Sequence, residues 1–202
     1  MQLTKKFIRN VVIGLAPIIA LIMLGSGYNT LQTQDEAVTA GWSEVVNQYQ
    51  RRADLIPNLV EVTKKYAAHE KAVFSDVANA RSSAGSIQVT PEMLDDPAAL
   101  KKFQTAQAQM GSALSRLLAV AENYPNLKAD RIFTDLTAQL ESTENRITVA
   151  RNRYIKAVQA FNGTVRKFPT NITAKIFALQ RKANFSVANE TRISTAPAVN
   201  MD

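Results

Sequence analysis

The chain has 202 residues, enough for one domain with an appendage and for an apolar core that folds without covalent cross-links. It contains no cysteine, which excludes disulfides, thiol catalysis and cysteine-ligated metal or iron–sulfur sites. The formal net charge of +7 comes from lysines and arginines spread over all the predicted helices, which favours a solvated surface over a nucleic-acid or anionic-lipid face.

The amino terminus predicts a membrane anchor over residues 1–27. Three basic residues precede an uncharged run of fourteen residues, 11–24. Counted over residues 7–28, with the Arg9 side chain reaching back to the membrane surface, the segment reaches the ~20 residues that a spanning helix needs. A cleaved signal peptide is the alternative, with Gly25 and Gly27 as small residues at the cleavage site.

The charges around this segment predict its orientation. Basic residues lie before it, whereas the first charges after it are Asp35 and Glu36. Because the basic flank of a span stays in the cytoplasm, residues 28–202 are predicted outside the cytoplasm, in the periplasm if the source is a two-membrane bacterium. A cytoplasmic location of this region is the alternative.

The next helix is predicted from Thr30 to Arg81. Pro57 lies inside it, and the apolar spacing stays in phase on both sides. A kinked continuous helix is therefore favoured over a second segment capped by Asp54. Its predicted buried face follows steps of three or four residues and carries Leu31, Val38, Trp42, Val45, Tyr49, Leu55, Leu59, Val62, Tyr66, His69, Val73, Val77 and Ala80.

Turn residues over 82–96 predict a loop. A second long helix is predicted to begin at Asp96 and Pro97, a capping residue followed by proline in the first turn, and to end before Pro125. Its predicted buried face carries Phe103, Ala106, Met110, Leu114, Leu117 and Ala121.

The third long helix has the clearest period and is predicted to stop at Pro169. Asn171 is predicted to cap a short fourth helix that reaches Leu179, and the polar tail 186–202 is predicted to be loosely ordered. The buried face of the third helix is predicted to carry Leu136, Leu140, Thr143, Ile147, Ala150, Tyr154, Val158, Phe161, Val165 and Phe168.

Together these elements predict an all-α fold. It is an elongated antiparallel bundle of three long helices plus a short fourth, preceded by one transmembrane helix. The predicted domains are the anchor 1–27, the bundle 28–185 and the tail 186–202.

A family resemblance extends over nearly the whole chain. It is carried by Tyr28, Asn29, Trp42, residues 51–58, Tyr66, Ala67, His69, Glu70, Ala80, Arg81, residues 117–122, Tyr124, Pro125, residues 127–129, Leu140, Glu141, residues 143–147, Ala150, Arg151, Tyr154, Ala157, Val158, Phe161, Asn162, Phe168 and Pro169. On these residues the chain resembles the LemA family of bacterial membrane-anchored proteins. The resemblance implies a membrane segment followed by a helical bundle, often described as cytoplasmic, without a firmly defined enzymatic activity. Gly41 departs from it, standing where alanine is common, at a cost of about 1 kcal/mol in a helix interior.

The sequence offers little for catalysis or metal binding. His69 is the only histidine. Tyr66 stands three residues before it, where the Glu-x-x-His pattern of a bundle di-iron site requires glutamate. A histidine hydrogen-bonded on the buried face is therefore favoured over a metal ligand. There is no phosphate-binding glycine loop, so no cofactor, no metal and no catalytic residue is predicted.

The remaining polar residues next to the buried faces form a candidate structural or interaction network. We expect Asp54 and Glu144 to pair with arginines on other helices and to fix helix register, because a buried ion pair specifies an arrangement more than it adds stability. A partner or self-association surface is the alternative. The candidate residues are Arg51, Arg52, Asp54, Asn58, His69, Glu122, Glu144, Asn145, Arg146 and Arg151.

The predicted function is that of a membrane-tethered, non-catalytic scaffold or interaction protein of the bacterial envelope that self-associates. An accessory or regulatory subunit of a membrane enzyme, such as a protease, is the alternative. The expected partners are membrane lipid through residues 7–27, further copies of the chain in a homo-oligomer, and a membrane protein, with no nucleic acid. The expected location is the bacterial inner membrane, crossed once.

Overall fold

The computed structural model describes the backbone of residues 2–185 and its side chains other than those of residues 2–6, 8, 9 and 12. Every regular element in this range is helical, which confirms the all-α prediction. The elongated antiparallel arrangement stays a prediction, and the predicted tail 186–202 lies outside the described residues. The elements are α1 (Gln2–Tyr66), α2 (Lys71–Gly85), a 3-10 helix (Pro91–Asp95), α3 (Pro97–Asn123), α4 (Pro125–Lys128), α5 (Arg131–Arg166) and α6 (Thr170–Ile176).

The described chain divides into two compact units. Unit 1 holds residues 2–48 and 145–182, and unit 2 holds residues 49–144 and 183–185. Helices α1 and α5 therefore each contribute to both units, and each unit has its own core.

Helix α1 has 65 residues, begins at Gln2 and includes the whole apolar run 11–24. The predicted boundary near Thr30 is wrong, because the helix runs through this position without a break. The helix also continues through Pro57, as predicted, but it ends at Tyr66 and does not reach Arg81.

A short connection over residues 67–70 separates α1 from α2, without the help of glycine or proline. The Glu70 amide donates to the Ala67 carbonyl at 3.0 Å, and Ala67 itself is fully buried. The change of direction lets Phe74 and Val77 of α2 join the core of unit 2. The burial of these apolar side chains stabilises a break that no local residue demands.

Unit 2 is built around one apolar cluster. All six predicted core residues of α3 are buried, which confirms that face. Asp96 caps α3 as predicted, accepting from the amides of Ala98 at 2.8 Å and Ala99 at 3.2 Å. The cluster contains Ile56, Leu59, Val62, Phe74, Val77, Met110, Ala113, Leu114, Leu117, Ala121, Leu127, Phe133, Leu136 and Leu140.

In unit 1, α1 and α5 approach each other closely at Gly41. A Cβ atom at Gly41 would lie 3.3 Å from the Cα atom of Tyr154, and the Trp42 and Tyr154 rings pack with centroids 5.5 Å apart. The departure from alanine at this position therefore lets two helix backbones come together, which offsets the helix-propensity cost of glycine. The predicted core positions Leu31, Val38 and Trp42 are buried.

Some predicted boundaries and core positions are wrong. The predicted loop 82–96 is mostly helical, since α2 reaches Gly85 and a 3-10 helix fills Pro91–Asp95. Helix α6 begins at Thr170, so Asn171 lies inside it and does not cap it. Phe168 is 78% exposed although it continues the apolar period of α5, because α5 ends two residues earlier, at Arg166.

Candidate functional site

Arg52 is the central residue of a polar cluster inside unit 2, where only 4% of its side chain is exposed. It lies on the buried face of α1, three residues after Tyr49 and four before Ile56, both of which are buried. The helical period therefore turns Arg52 inward, while the preceding Arg51 is exposed.

The Arg52 guanidinium binds groups on two other helices. Its Nη1 donates to Glu144 Oε1 on α5 at 2.9 Å. Its Nη2 donates to the main-chain oxygen of Gln107 on α3 at 3.2 Å and also to the Gln107 side-chain oxygen. The Tyr49 ring lies below the guanidinium, 4.9 Å from its central carbon, and contacts the Phe103 ring edge-on at 5.3 Å.

This cluster joins α1, α3 and α5 at one point. The planar guanidinium directs its donors in fixed directions, so the three helices must keep one register to satisfy them. The Glu144 side chain is 46% exposed, which leaves the carboxylate partly hydrated and lowers the desolvation cost of the pair. This arrangement holds the guanidinium charge of Arg52 at a fixed position between three helices.

A second polar link in unit 2 joins the end of α1 to the start of α5. The Tyr66 hydroxyl donates to Asp130 Oδ2 at 2.7 Å. The other carboxylate oxygen of Asp130 accepts from the Phe133 amide at 3.0 Å, in the first turn of α5. Asp130 thus caps one helix while it binds the last residue of another.

These bonds change the pKa of both groups in opposite directions. The Tyr66 hydroxyl lowers the pKa of Asp130 below its ordinary value, and the backbone amide of Phe133 lowers it further. The same hydrogen bond to the carboxylate raises the pKa of Tyr66. The pair is therefore stable in its present protonation state across the neutral range.

Glu70 makes a third link. The Tyr124 hydroxyl donates to Glu70 Oε1 at 3.3 Å. Burial raises the pKa of Tyr124, and the negative charge of Glu70 raises it further. The connection between α1 and α2 is in this way tied to the end of α3.

Within the described residues, one helix is long and apolar enough to cross a membrane, and it lies near the amino terminus. Its best window has a mean hydropathy of 1.4, and only 6% of that window is buried against the rest of the protein. Ile18, Leu21 and Ile22 are among its exposed residues. An apolar helix that the rest of the described chain leaves uncovered indicates membrane association.

Comparison with known proteins identifies the family. The model of the LemA family matches residues 41–201, most of the chain. The chain belongs to the LemA family. It is 31% identical over 186 residues to the magnetosome proteins MamQ 1 and MamQ 2 of Paramagnetospirillum magneticum, with 83% of this chain and 68% of each relative covered. It is 24% identical to protein LemA of Metamycoplasma hominis, with 85% of this chain and 74% of the relative covered.

In this LemA-family chain, Arg52 and Glu144 are brought together as the sequence suggested. Arg51, Asp54 and Asn58 lie on the exposed side of α1. Glu122, Asn145 and Arg146 are also exposed, and Arg151 is half-buried.

Two expectations for individual residues are wrong. Asp54 pairs with no arginine among the described residues and accepts a hydrogen bond from Gln50 at 2.8 Å, one turn earlier on its own helix. His69 is exposed, not held in the core. The reason is the break after Tyr66, which takes His69 out of the helical period that placed it on the buried face.

Sequence reasoning missed five residues of these links, which are Gln107, Tyr66, Asp130, Glu70 and Tyr124. Gln107 lies one turn after the buried Phe103, a position that could have been recognised from the period of α3. Asp130 directly precedes α5 and has the side chain of a typical helix cap. The hydroxyl of Tyr66 carries no such signal, because its partner is 64 residues away.

Among the described residues, no three histidine or acidic side chains lie close enough together to hold a metal ion.

Proposed function

We propose that this LemA-family chain is a membrane-tethered, non-catalytic scaffold protein of the bacterial envelope. The observation that best supports this proposal is the burial and hydrogen bonding of Arg52. It is the only buried charged residue in the described part of the chain, and its donors bind groups on neighbouring helices. We infer that the polar contacts of Arg52 inside unit 2 serve to fix the positions of its helices. The names of the relatives, magnetosome protein and protein LemA, state no enzymatic activity.

The scaffold presents an exposed polar face of α1 to other molecules. Arg51, Asp54 and Asn58 follow one another at steps of three and four and are all exposed. We propose that this face contacts a second copy of the chain or a membrane protein. The residues of α1 that bind inside unit 2, such as Arg52 and Ile56, lie on the opposite side and are not needed for this contact.

The alternative is an accessory subunit of a membrane enzyme such as a protease. The same exposed face of α1 favours it, because Arg51, Asp54 and Asn58 offer both charges and an amide to a partner. Such mixed polar faces give specificity and association rate more than affinity. The two proposals therefore differ in the partner and not in the surface.

The test is the mass of the gently detergent-extracted full chain, with bound proteins identified in the same sample. A homo-oligomer without stoichiometric partners supports the scaffold. A monomer that retains one membrane enzyme supports the accessory subunit. A monomer without any partner contradicts both. The double variant Arg51→Glu, Asn58→Ala should weaken either association, whereas the exposed control Lys101→Ala, on α3, should not.

We further propose that residues 28–202 lie on the periplasmic side of the inner membrane, with the cytoplasmic side as the alternative. The basic flank before the span supports this orientation. Because the chain lacks cysteine, a Lys101→Cys variant, which is exposed and outside the proposed contact face, can be labelled at one position. Labelling of intact cells with a thiol reagent that crosses only the outer membrane supports the periplasmic side. Labelling only after lysis contradicts it.

A further inference from the structure

Exposed apolar side chains gather at the carboxy-terminal end of unit 1. Outside the apolar segment of α1, the described residues include seven large apolar side chains that are exposed, and four of these lie between residues 168 and 177. They are Phe168 at 78% exposure, Ile172 at 46%, Ile176 at 60% and Phe177 at 49%. Thr173 and Ala174, on the other side of α6, are buried. Helix α6 therefore has one face in the core of unit 1 and one apolar face uncovered.

Helix α6 lies beside the end of the apolar segment of α1. A Cβ atom at Gly27 would lie 2.9 Å from the Thr173 hydroxyl oxygen. The Tyr28 ring lies 4.4 Å from the Phe177 ring, centroid to centroid. Residues 7–27 make about 30 Å of helix, the thickness of a bilayer core. Helix α6 thus contacts α1 where the span ends.

The order of contacts along α1 places α6 nearest the membrane within unit 1. Tyr154 lies against Gly41, and Lys182 pairs with Asp35 at 3.3 Å. Thr173 lies against Gly27. Of these three contacts along α1, the one made by α6 is the closest to the apolar segment.

The region around α6 also carries a high positive charge. Residues 145–185 contain nine lysines and arginines and no carboxylate. Arg166 and Lys175 are both exposed and line one groove together with Asn171 and Leu179. In the sequence, Arg166 lies two residues before Phe168 and Lys175 directly precedes Ile176. Such a combination of exposed apolar and basic side chains is typical of segments that lie in the interface of anionic membranes.

We propose that Phe168 and α6 form a second membrane contact, which lies in the interface of an anionic bilayer on the side where α1 leaves it. This inference rests on the tether of the proposed function. The apolar side chains enter the boundary between headgroups and acyl chains, while Arg166 and Lys175 bind phosphate groups. The contact orients unit 1 against the membrane.

The experiment uses the full chain in vesicles of phosphatidylcholine with or without phosphatidylglycerol. An Ile176→Cys variant carries a fluorophore sensitive to polarity, and some vesicles contain lipids with a quencher on the acyl chain near the headgroup. A Val149→Cys variant is the matched control, since Val149 is also an exposed apolar residue of unit 1. It lies one turn before Arg153, whose partner Glu44 is about 25 Å along α1 from Gly27. A Leu21→Cys variant reports on the span itself.

The proposal expects the label at Ile176 to be quenched severalfold more strongly than the label at Val149, with emission shifted to shorter wavelength. The double variant Arg166→Glu, Lys175→Glu should lose the part of this quenching that depends on phosphatidylglycerol. Equal quenching at Ile176 and Val149 overturns the proposal. Emission at shorter wavelength from the label at Ile176 without lipid quenching also overturns it, because a second copy or another protein then covers the face. Absence of quenching at Leu21 contradicts the tether, whereas quenching at Leu21 alone contradicts only the second contact.

Discussion

The two units pack α1 against other helices by different means. In unit 1, α1 meets α5 at a glycine, and the contact is completed by the Trp42 and Tyr154 rings. The ion pair between Glu44 and Arg153 lies at the surface. In unit 2, the buried guanidinium of Arg52 on α1 binds groups on α3 and α5.

The difference follows from the number of helices that must be fixed. A close approach of two backbones depends on shape, and one small residue is enough to allow it. Where α1, α3 and α5 meet, apolar contacts alone permit the helices to slide, because they are not directional. A buried arginine with donors in a fixed plane removes that freedom. Variants of these residues test the comparison.

The largest loss is expected for Arg52→Ala. The variant removes the Arg52 hydrogen bonds to Gln107 and Glu144 and a buried side chain, so the free energy of unfolding should fall by about 4 kcal/mol. It is measured by denaturant unfolding of the full chain in detergent. The neighbouring control Arg51→Ala is exposed and should change stability by at most about 0.5 kcal/mol.

The register role has its own test in the double variant Arg52→Gln, Glu144→Gln. Both residues keep hydrogen-bonding groups but lose their charges. A lower melting temperature or a changed oligomeric state is expected. If both stay as they are in the parent chain, the ion pair does not fix the helices.

A loss of about 3 kcal/mol is expected for Gly41→Leu, because its side chain would meet the backbone of Tyr154. The control is Gly111→Ala on α3, where nothing lies within 4 Å of the added atom. That variant should gain up to about 1 kcal/mol from helix propensity. Equal effects of the two substitutions would mean that unit 1 does not depend on close approach.

The Tyr66–Asp130 bond predicts a smaller effect that depends on pH. Asp130 has a lowered pKa in the folded chain, so its contribution is present above its ordinary pKa and is lost as pH falls through the lowered value. Tyr66 has a raised pKa, so its contribution is present below its ordinary pKa and is lost as pH rises through the raised value.

The melting temperatures of the parent chain and of Tyr66→Phe should therefore differ most at pH values between the lowered pKa of Asp130 and the raised pKa of Tyr66. The difference should shrink toward acid and toward strong alkali. A constant difference at all pH values would show that the hydroxyl contributes packing alone. Ile132→Ala serves as a control of similar exposure without a titrating partner.

The smallest effect is expected at Ala178, which has a φ of 53° and lies two residues after the end of α6. This left-handed conformation is strained for alanine and free of strain for glycine, so Ala178→Gly should stabilise the chain by about 0.5 kcal/mol. The exposed Ala160 lies inside α5, where the same substitution should destabilise by about 1 kcal/mol. Thermal unfolding of both variants in the same detergent distinguishes the signs.

Much of the buried surface could be predicted from the sequence. The apolar period placed Leu31, Trp42 and Tyr154 in a core because a helix has a fixed 3.6-residue turn. The cap at Asp96 was predicted for a similar reason, since the signal is confined to neighbouring residues. The pairing of Arg52 with Glu144 was suggested by polar residues next to two buried faces, whereas Gln107 was missed.

The sequence by itself determined the helical class, the apolar amino-terminal segment and most inward faces, because these depend on interactions between residues a few positions apart. Only the tertiary structure decided that α1 ends at Tyr66, that His69 is exposed and that Asp54 stays on the surface. It also decided that α6 meets the end of the membrane segment. Each of these outcomes depends on contacts between residues far apart in the chain, and no local pattern encodes the free energy of such contacts.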